Sequence, residues 1–518
     1  MKSLFLSAVC LFLHFLSYSQ KDCNQWVFGN QLGLDFNSNP PTVTTNTNLN
    51  SMECSAAIAD WNGNLLFYTE GSTIWDKNHG VMANGTNLGG GWSAANGAVI
   101  VKQPGNANLY YLFNTGQTPA GNFSYSIVDM SLAGGLGAVT VSAATVFSPV
   151  LEGVCGVRHC NGTDVWIIVQ EKNSSNLKAY LLTASGLSLT PVTSSVGVSF
   201  STVLSITKAA PGGKKLINSQ NQGDFTLFDF DNTTGIISNS LSLSFPTQSP
   251  LNTTFGYGCD FSPDGSKVYG CVYGFTLSGQ TAVPGLFQWD ICAGSNAAII
   301  ASRTNINPGT DHRSILRATN GKMYSTSSAS NTVLNVVGSP NLLGTSSNFT
   351  AGAFSVPTGT TTYGLPNFVN DIKEPLVSFA YTTTPSLGCQ TASFNSPYAA
   401  GTGFGCSSSG YTIGNVTWNF GDPLSGSSNT SNLQNPSHAF TNLGTYTVQQ
   451  ILHYTCGVRN DTLREVVQIV DPCITINASV SCASLGSATA QTSTGPGSFT
   501  YTWLPTNQTG SVATGLVP

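Results

Sequence analysis

The stretch Phe261-Ser262-Pro263-Asp264-Gly265-Ser266-Lys267-Val268-Tyr269 decides how this chain is read. One strand-like run enters a Pro-Asp-Gly turn and a second leaves it. Asp-Gly between two such runs marks a hairpin, because Gly adopts the positive φ that a tight turn requires. The same shape recurs at Asp60-Trp61-Asn62-Gly63-Asn64, at Lys102-Gln103-Pro104-Gly105-Asn106, and at His159-Cys160-Asn161-Gly162-Thr163. It recurs again at Ala210-Pro211-Gly212-Gly213-Lys214 and Ala318-Thr319-Asn320-Gly321-Lys322. Successive copies lie roughly 45–55 residues apart, the length of a four-stranded propeller blade. The fold expected is all-β, with a seven-bladed β-propeller over residues 24–373. Six blades follow from the six copies. The seventh is expected where Tyr363-Gly364-Leu365-Pro366-Asn367-Phe368-Val369 pairs with the strand around Trp26-Val27-Phe28-Gly29, closing the ring and its sheet edges. A further turn, Asp229-Phe230-Asp231-Asn232-Thr233-Thr234-Gly235, is read as a link between outer strands. As a calcium loop it lacks the terminal Glu.

Composition agrees with strands and turns. Of 518 residues only 8% are charged, against about 25% in ordinary globular proteins. Long helices draw on Glu, Lys and Arg, which are scarce here. Gly (55) and Pro (24) are too few for a collagen or a low-complexity linker. The net charge of −5 excludes a nucleic-acid binder working through a basic stripe.

The start of the chain names a compartment. Lys2 precedes an apolar run from Leu4 to Leu16 and the small-residue stretch Ser17-Tyr18-Ser19. That is the pattern of a secretory signal peptide over residues 1–19, cut after Ser19 or Gln20. Cys10 follows Val9 rather than a small residue, which argues against a lipoprotein signal. No other apolar stretch reaches the roughly 20 residues of a transmembrane helix. Thirteen Cys less Cys10 leaves twelve, an even number in an oxidising compartment, so disulfides are expected. Cys259 and Cys271 flank a tight turn and are expected to face each other; Cys389 and Cys456 are expected to staple a small sandwich. Cys292, Cys406, Cys473 and Cys482 stay unassigned. No paired Cys-x-x-Cys occurs, so no metal site is expected.

Several motifs carry a resemblance. Trp26-x-Phe28-Gly29-Asn30-x-x-Gly33-Leu34-Asp35-Phe36, Asn62-Gly63-Asn64-Leu65-Leu66-Phe67-Tyr68-Thr69, Trp75 with Met82-x-Asn84-Gly85, Tyr110-Tyr111-x-Phe113 and Gly364-Leu365-Pro366-Asn367-Phe368 resemble a propeller of large secreted proteins of Bacteroidetes. The resemblance implies a surface or gliding-motility-associated protein exported by the type IX system. From Cys389-Gln390-Thr391-Ala392-Ser393-Phe394 onward the motifs change to Trp418-Asn419-Phe420-Gly421-Asp422-Pro423, His438-Ala439-Phe440 and Gly444-Thr445-Tyr446-Thr447-Val448. In this order they resemble a PKD domain, an Ig-like β-sandwich, over residues 376–472, and His438 is read as one of its turn residues. Residues 473–518, with Gly495-Pro496-Gly497-Ser498-Phe499-Thr500-Tyr501-Thr502-Trp503, resemble an Ig-like repeat that stops short of its last strand. The chain is therefore expected to continue into a longer one.

The sequence offers little from which to build catalysis. It contains no His-Glu-x-x-His, no Gly-x-Ser-x-Gly elbow and no phosphate-binding loop. The propeller holds four Arg, at 158, 303, 313 and 317, and lacks the repeated boxes of a sialidase. Neither catalytic residues nor a cofactor is expected. The densest polar clusters are Asp311-His312-Arg313 with Arg317, and Arg158-His159. They are the candidate site at the channel mouth for an anionic ligand or glycan, with ion pairs between blades as the competing reading. Glu53 and Glu70 share that ambiguity. Trp61, Trp75 and Trp92 are expected to pack inside blades rather than stack on sugar. The function expected is a non-catalytic secreted or cell-surface protein. Its propeller would bind glycan or a surface protein in adhesion or motility, and its PKD and Ig-like domains would form a stalk. The alternative is a polysaccharide-degrading enzyme or its accessory region.

Overall fold

A computed structural model describes residues 21–516, apart from 45, 117–120, 201–203, 221–223, 245–254, 275, 278–279, 282–283, 328–330, 358, 384–389, 457, 470–473, 482–483, 493–501 and 504–507. The leader expected over residues 1–19 lies outside the described residues. Seven antiparallel sheets follow one another from Gln25 to Ser355. Their first strands are Gln25–Phe28, Ala56–Ala59, Ala98–Lys102, Cys155–Arg158, Ser205–Ala209, Phe255–Phe261 and Ile315–Arg317. We number the blades 1 to 7 in that order. Blades 1 and 2 have three strands; blades 3, 5, 6 and 7 have four, laid down in sequence.

Each blade buries its face against the next. Val27 of blade 1 packs with Ala57 and Tyr68 of blade 2, and Phe67 with Tyr110 and Leu112 of blade 3. The series runs on to blade 7, where Tyr269 and Leu286 of blade 6 meet Ile315 and Met323. The ring closes when Leu316, Tyr324 and Leu334 of blade 7 pack against Trp26, Phe28 and Leu34 of blade 1. Inner strands covered on both faces read as unbroken apolar runs, such as Ala98-Val99-Ile100-Val101. Outer strands such as Ile236–Leu243 face water with Ser and Asn. That is how the chain forms so much sheet with so few charges.

The hairpin that opened the reading is built as its residues dictate. Asp264 Oδ1 accepts from Ser266 N (2.8 Å) and Ser262 Oγ (2.7 Å), and Gly265 takes φ +79°. The turn Asp229–Gly235 joins strands Phe225–Asp231 and Ile236–Leu243, and Asp231 accepts from Thr233 N and Thr234 Oγ1.

The closing segment differs from the expectation. Tyr363–Val369 pairs with no strand; it runs down the middle of the ring. Asn367 N donates to Ser55 O, and its Nδ2 donates to Ala98 O (3.0 Å) and Val154 O (2.8 Å). Lys208 Nζ donates to Oδ1 of both Asn367 (2.8 Å) and Asn96 (2.9 Å). Asn370 N donates to Gly156 O, its Oδ1 accepts from Arg158 N (2.9 Å), and its Nδ2 donates to Ala210 O (3.0 Å). Arg317 Nε donates to Ile372 O (2.8 Å), and Phe368 lies 6.4 Å from Trp26. Leu365 and Pro366 line a small cavity with Gly258 and Cys259 of blade 6. The segment thus touches all seven blades. Pro366 has no N–H to give a strand ladder, so the two Asn side chains satisfy inner-strand carbonyls instead.

Past it, two sheets build a β-sandwich around Trp418, Phe394 and Phe420. His438 sits inside strand Ser437–Ala439 rather than in a turn. It is buried, stacked 4.2 Å from Phe420, and 3.1 Å from Asp422 Oδ2. Beyond the sandwich, strands Ile474–Ser481, Ser484–Thr492 and Val512–Leu516 form a further sheet.

The sandwich is fastened to the propeller. Disulfides join Cys160 to Cys456 and Cys292 to Cys406, across 296 and 114 residues. Both differ from the expected pairs. Cys259 and Cys271 are buried free thiols. Cys259 pairs in register with Gly270, so Cys271 is one residue out and points through the opposite face of the sheet. They lie in different cores. Cys456 is taken by Cys160, and Cys389 lies outside the described residues. Close backbone approach completes the seam. Ser409 Oγ donates to Gly265 O (2.6 Å), and a Cβ on Gly212 would fall 2.2 Å from Gly410 O. The hairpin turns of blades 4, 5 and 6 are therefore the dock. The sandwich expected to be part of a stalk is docked on the propeller as a cap.

Replacing Cys160 and Cys456 together by Ser should cost about 2–5 kcal/mol. This should appear as a lower denaturant midpoint, and as loss of the sandwich's protection from protease in non-reducing buffer. An unchanged midpoint would contradict the clamp.

Candidate functional site

The six residues picked from sequence do not form one site. Arg158, His159 and Arg317 lie at the hairpin-turn end of the inner strands, under the cap. Arg158 holds Asp371 through Nη2–Oδ2 (2.6 Å) and Nε–Oδ1 (2.9 Å). Burial opposes charge on both partners, yet the pairing wins. Asp371 is held well below the usual carboxylate range, and Arg158 is driven further toward its charged form. Arg459 of the cap reaches Asp22 and lies 3.8 Å from Asp371. Lys373 pairs with Asp461 (3.2 Å). Arg317 pairs with Asp260 (2.6 Å), both buried, and donates to Ala209 O (2.9 Å). His159 accepts from Asn161 N at Nδ1 (3.0 Å) and meets Thr233 O at Nε2 (3.1 Å). All three anchor the structure.

Asp311, His312 and Arg313 lie at the opposite end, where the chain enters blade 7. Asp311 Oδ1 accepts from Gly274 N (2.8 Å). His312 is fully buried between Asn307 and Ser325. Asn307 Nδ2 donates to Nε2 (2.9 Å), so Nδ1 carries the proton and faces Ser325 Oγ (2.9 Å). Burial lowers the His312 pKa to about 4. It is a neutral structural histidine.

Arg313 differs from them. Its guanidinium lies 3.5 Å from the ring centre of Tyr273, 4.5 Å from Tyr363 and 5.7 Å from Tyr257. Among the described residues it makes no ion pair, in contrast to Arg158 and Arg317. Its Nε is buried without a hydrogen-bond partner. Beside this cage stands Glu53. It accepts from Tyr257 Oη at Oε1 and from Ser93 Oγ at Oε2 (2.9 Å). Burial pushes the Glu53 carboxyl above its ordinary value, against those two hydrogen bonds and Arg313. Glu70, expected from sequence to share its role, accepts from its local turn, from Ser72 Oγ and Thr73 N.

Trp92 joins this face through its backbone, since Met52, Glu53 and Cys54 N–H all point to Trp92 O. Its side chain is 51% exposed, and Trp61 is 70% exposed, contrary to the expected burial. Trp75 is half-buried and stacks on Tyr68 at 15°. The tyrosines escaped the sequence reading because 204 residues separate Glu53 from Tyr257, and no local pattern joins them. Among the described residues no group of three or more His, Cys, Asp or Glu is placed to hold a metal, and no helix is long and apolar enough to cross a membrane.

The cap belongs to a known family. The PKD domain model matches residues 393–469. A PKD domain and two disulfides are consistent with an extracellular setting. A search of the curated proteins finds no match. Among solved structures the chain is similar to dihydro-heme d1 dehydrogenase NirN in complex with DHE. Identity is 13%, the match covers 67% of this chain and 75% of that one, and the TM-score is 0.34.

The neutral His312 carries a pH dependence whose sign is fixed. The unfolded chain binds a proton near pH 6.5 and the folded chain only near 4. Its contribution is complete above 6.5 and lost as pH falls toward 4, by about 3 kcal/mol in all. His312→Asn should flatten the fall in unfolding free energy across that window relative to the parent. Equal slopes in denaturant titrations at pH 6.5 and 4.5 would contradict this.

Proposed function

We propose that this is an exported, non-catalytic protein of the cell surface or its surroundings, whose propeller is a binding platform for glycan or a surface protein. Adhesion or surface motility is the setting its resemblance implies. The observation that carries the reading is the asymmetry of the ring. One face is sealed by the PKD domain, and the channel is filled by residues 363–373. The strand-start face carries an arginine set among tyrosines, with no ion pair among the described residues. Binding at that face needs no open channel. The lone raised carboxyl there, Glu53, is already occupied by Tyr257 and Ser93, which favours binding over general-acid chemistry.

The test uses the chain from residue 21 onward, because a propeller cut at 375 would lose its disulfide partners. Glycan arrays, adhesion to polysaccharide-coated surfaces and pull-downs from cell envelopes should find a saturable partner, with no turnover of that partner. Empty results in all three would end the platform reading. Release of oligosaccharides from a bound polymer would favour the enzyme instead.

A further inference from the structure

Resting on the platform reading, we propose that the Arg313 cage is a binding site for carboxylated saccharides, such as uronate or sialate units. A half-buried guanidinium without an ion pair favours an anionic partner. Three of the cations on the opposite face, Arg158, Arg317 and Lys373, are each spent on a buried carboxylate. Arg313 is half-buried and forms no ion pair among the described residues: Glu53 beside it is bonded to Tyr257 and Ser93 instead, and Arg313 Nε has no acceptor. Tyrosine faces offset part of the cost of burying the charge, and Tyr273 also hydrogen-bonds the guanidinium, but Nε is left without an acceptor. A planar carboxylate matches the two terminal nitrogens of a guanidinium with two parallel hydrogen bonds.

The surroundings suit a sugar more than a bare anion. Tyr363 and Tyr273 are half-buried and expose ring surface beside the cation. Aromatic faces of this kind accept the C–H faces of a pyranose. Ser93 and Glu53 add polar groups within the same cluster, and the exposed Trp92 is anchored to the backbone at Glu53. Both Glu53 carboxylate oxygens are already engaged, by Tyr257 Oη and Ser93 Oγ.

Calorimetry on the chain from residue 21 tests this with pairs of probes: polygalacturonate oligomers against their methyl esters, and sialyllactose against lactose. At least one carboxylated member should bind, with its neutral counterpart at least tenfold weaker. Arg313→Gln should abolish that difference, and Arg313→Lys should not restore it, because a point charge lacks the fork. Tyr363→Leu keeps the cation and should weaken binding severalfold; it also serves if Arg313→Gln proves unstable. Equal binding of acid and ester, or full binding by Arg313→Gln, would overturn the proposal. Binding of neutral glycans or proteins alone would overturn it while leaving the platform standing. No binding to any surface partner would remove both.

Discussion

Everything in this molecule depends on one polar constraint. The inner strands of seven blades present backbone carbonyls to a central axis where water is excluded, and those groups need donors. Asn367 and Asn370 supply them, reaching Ala98, Val154, Ala210 and Pro211. Lys208, buried and with its pKa lowered by that burial, ties Asn367 to Asn96. The chain that closes the ring is therefore also its axle. Strand closure would join two neighbouring blades; an axle couples all seven.

The axle then organises the second domain. It leaves the ring at Asp371–Lys373, where Arg158, Arg459 and Asp461 gather around it. The PKD sandwich inherits that anchor and adds two disulfides. The glycines that make the blade hairpins also make the dock. Gly265 allows the turn through its positive φ, and a Cβ there would stand 2.8 Å from Ser409 O. Gly212 leaves room for Gly410 in the same way. One face is thus committed to structure.

The parts that were legible in the sequence are those written locally. Asp-Gly and Asn-Gly turns specify hairpins within a few residues, so six blades could be placed, and the PKD motifs follow one another along a single sandwich. What stayed hidden depends on distance. Cys160 and Cys456 meet across the whole propeller. The Tyr363–Val369 stretch was expected to pair with the N-terminal strand because that would close the ring's sheet edges, yet its proline and asparagine suit the axial position it takes. Blade 1, where that closure was expected, is Gln25–Thr44 alone. Arg313 was singled out for its charge, but in company with Arg317 and Arg158. The short inner strand Ile315–Arg317 carries the chain from one end of the ring to the other between Arg313 and Arg317. The cage tyrosines carry no charge and no motif, so only the fold assembles them.

The central claim is that residues 363–373 are as firmly held as the blades they join. Hydrogen exchange measures this directly. The amides of Asn367 and Asn370, bonded to Ser55 O and Gly156 O, should exchange as slowly as those of the inner strand Ala98–Lys102. Both should open only with global unfolding. Exchange of the segment at the rate of an exposed loop, while the inner strands stay protected, would contradict the account.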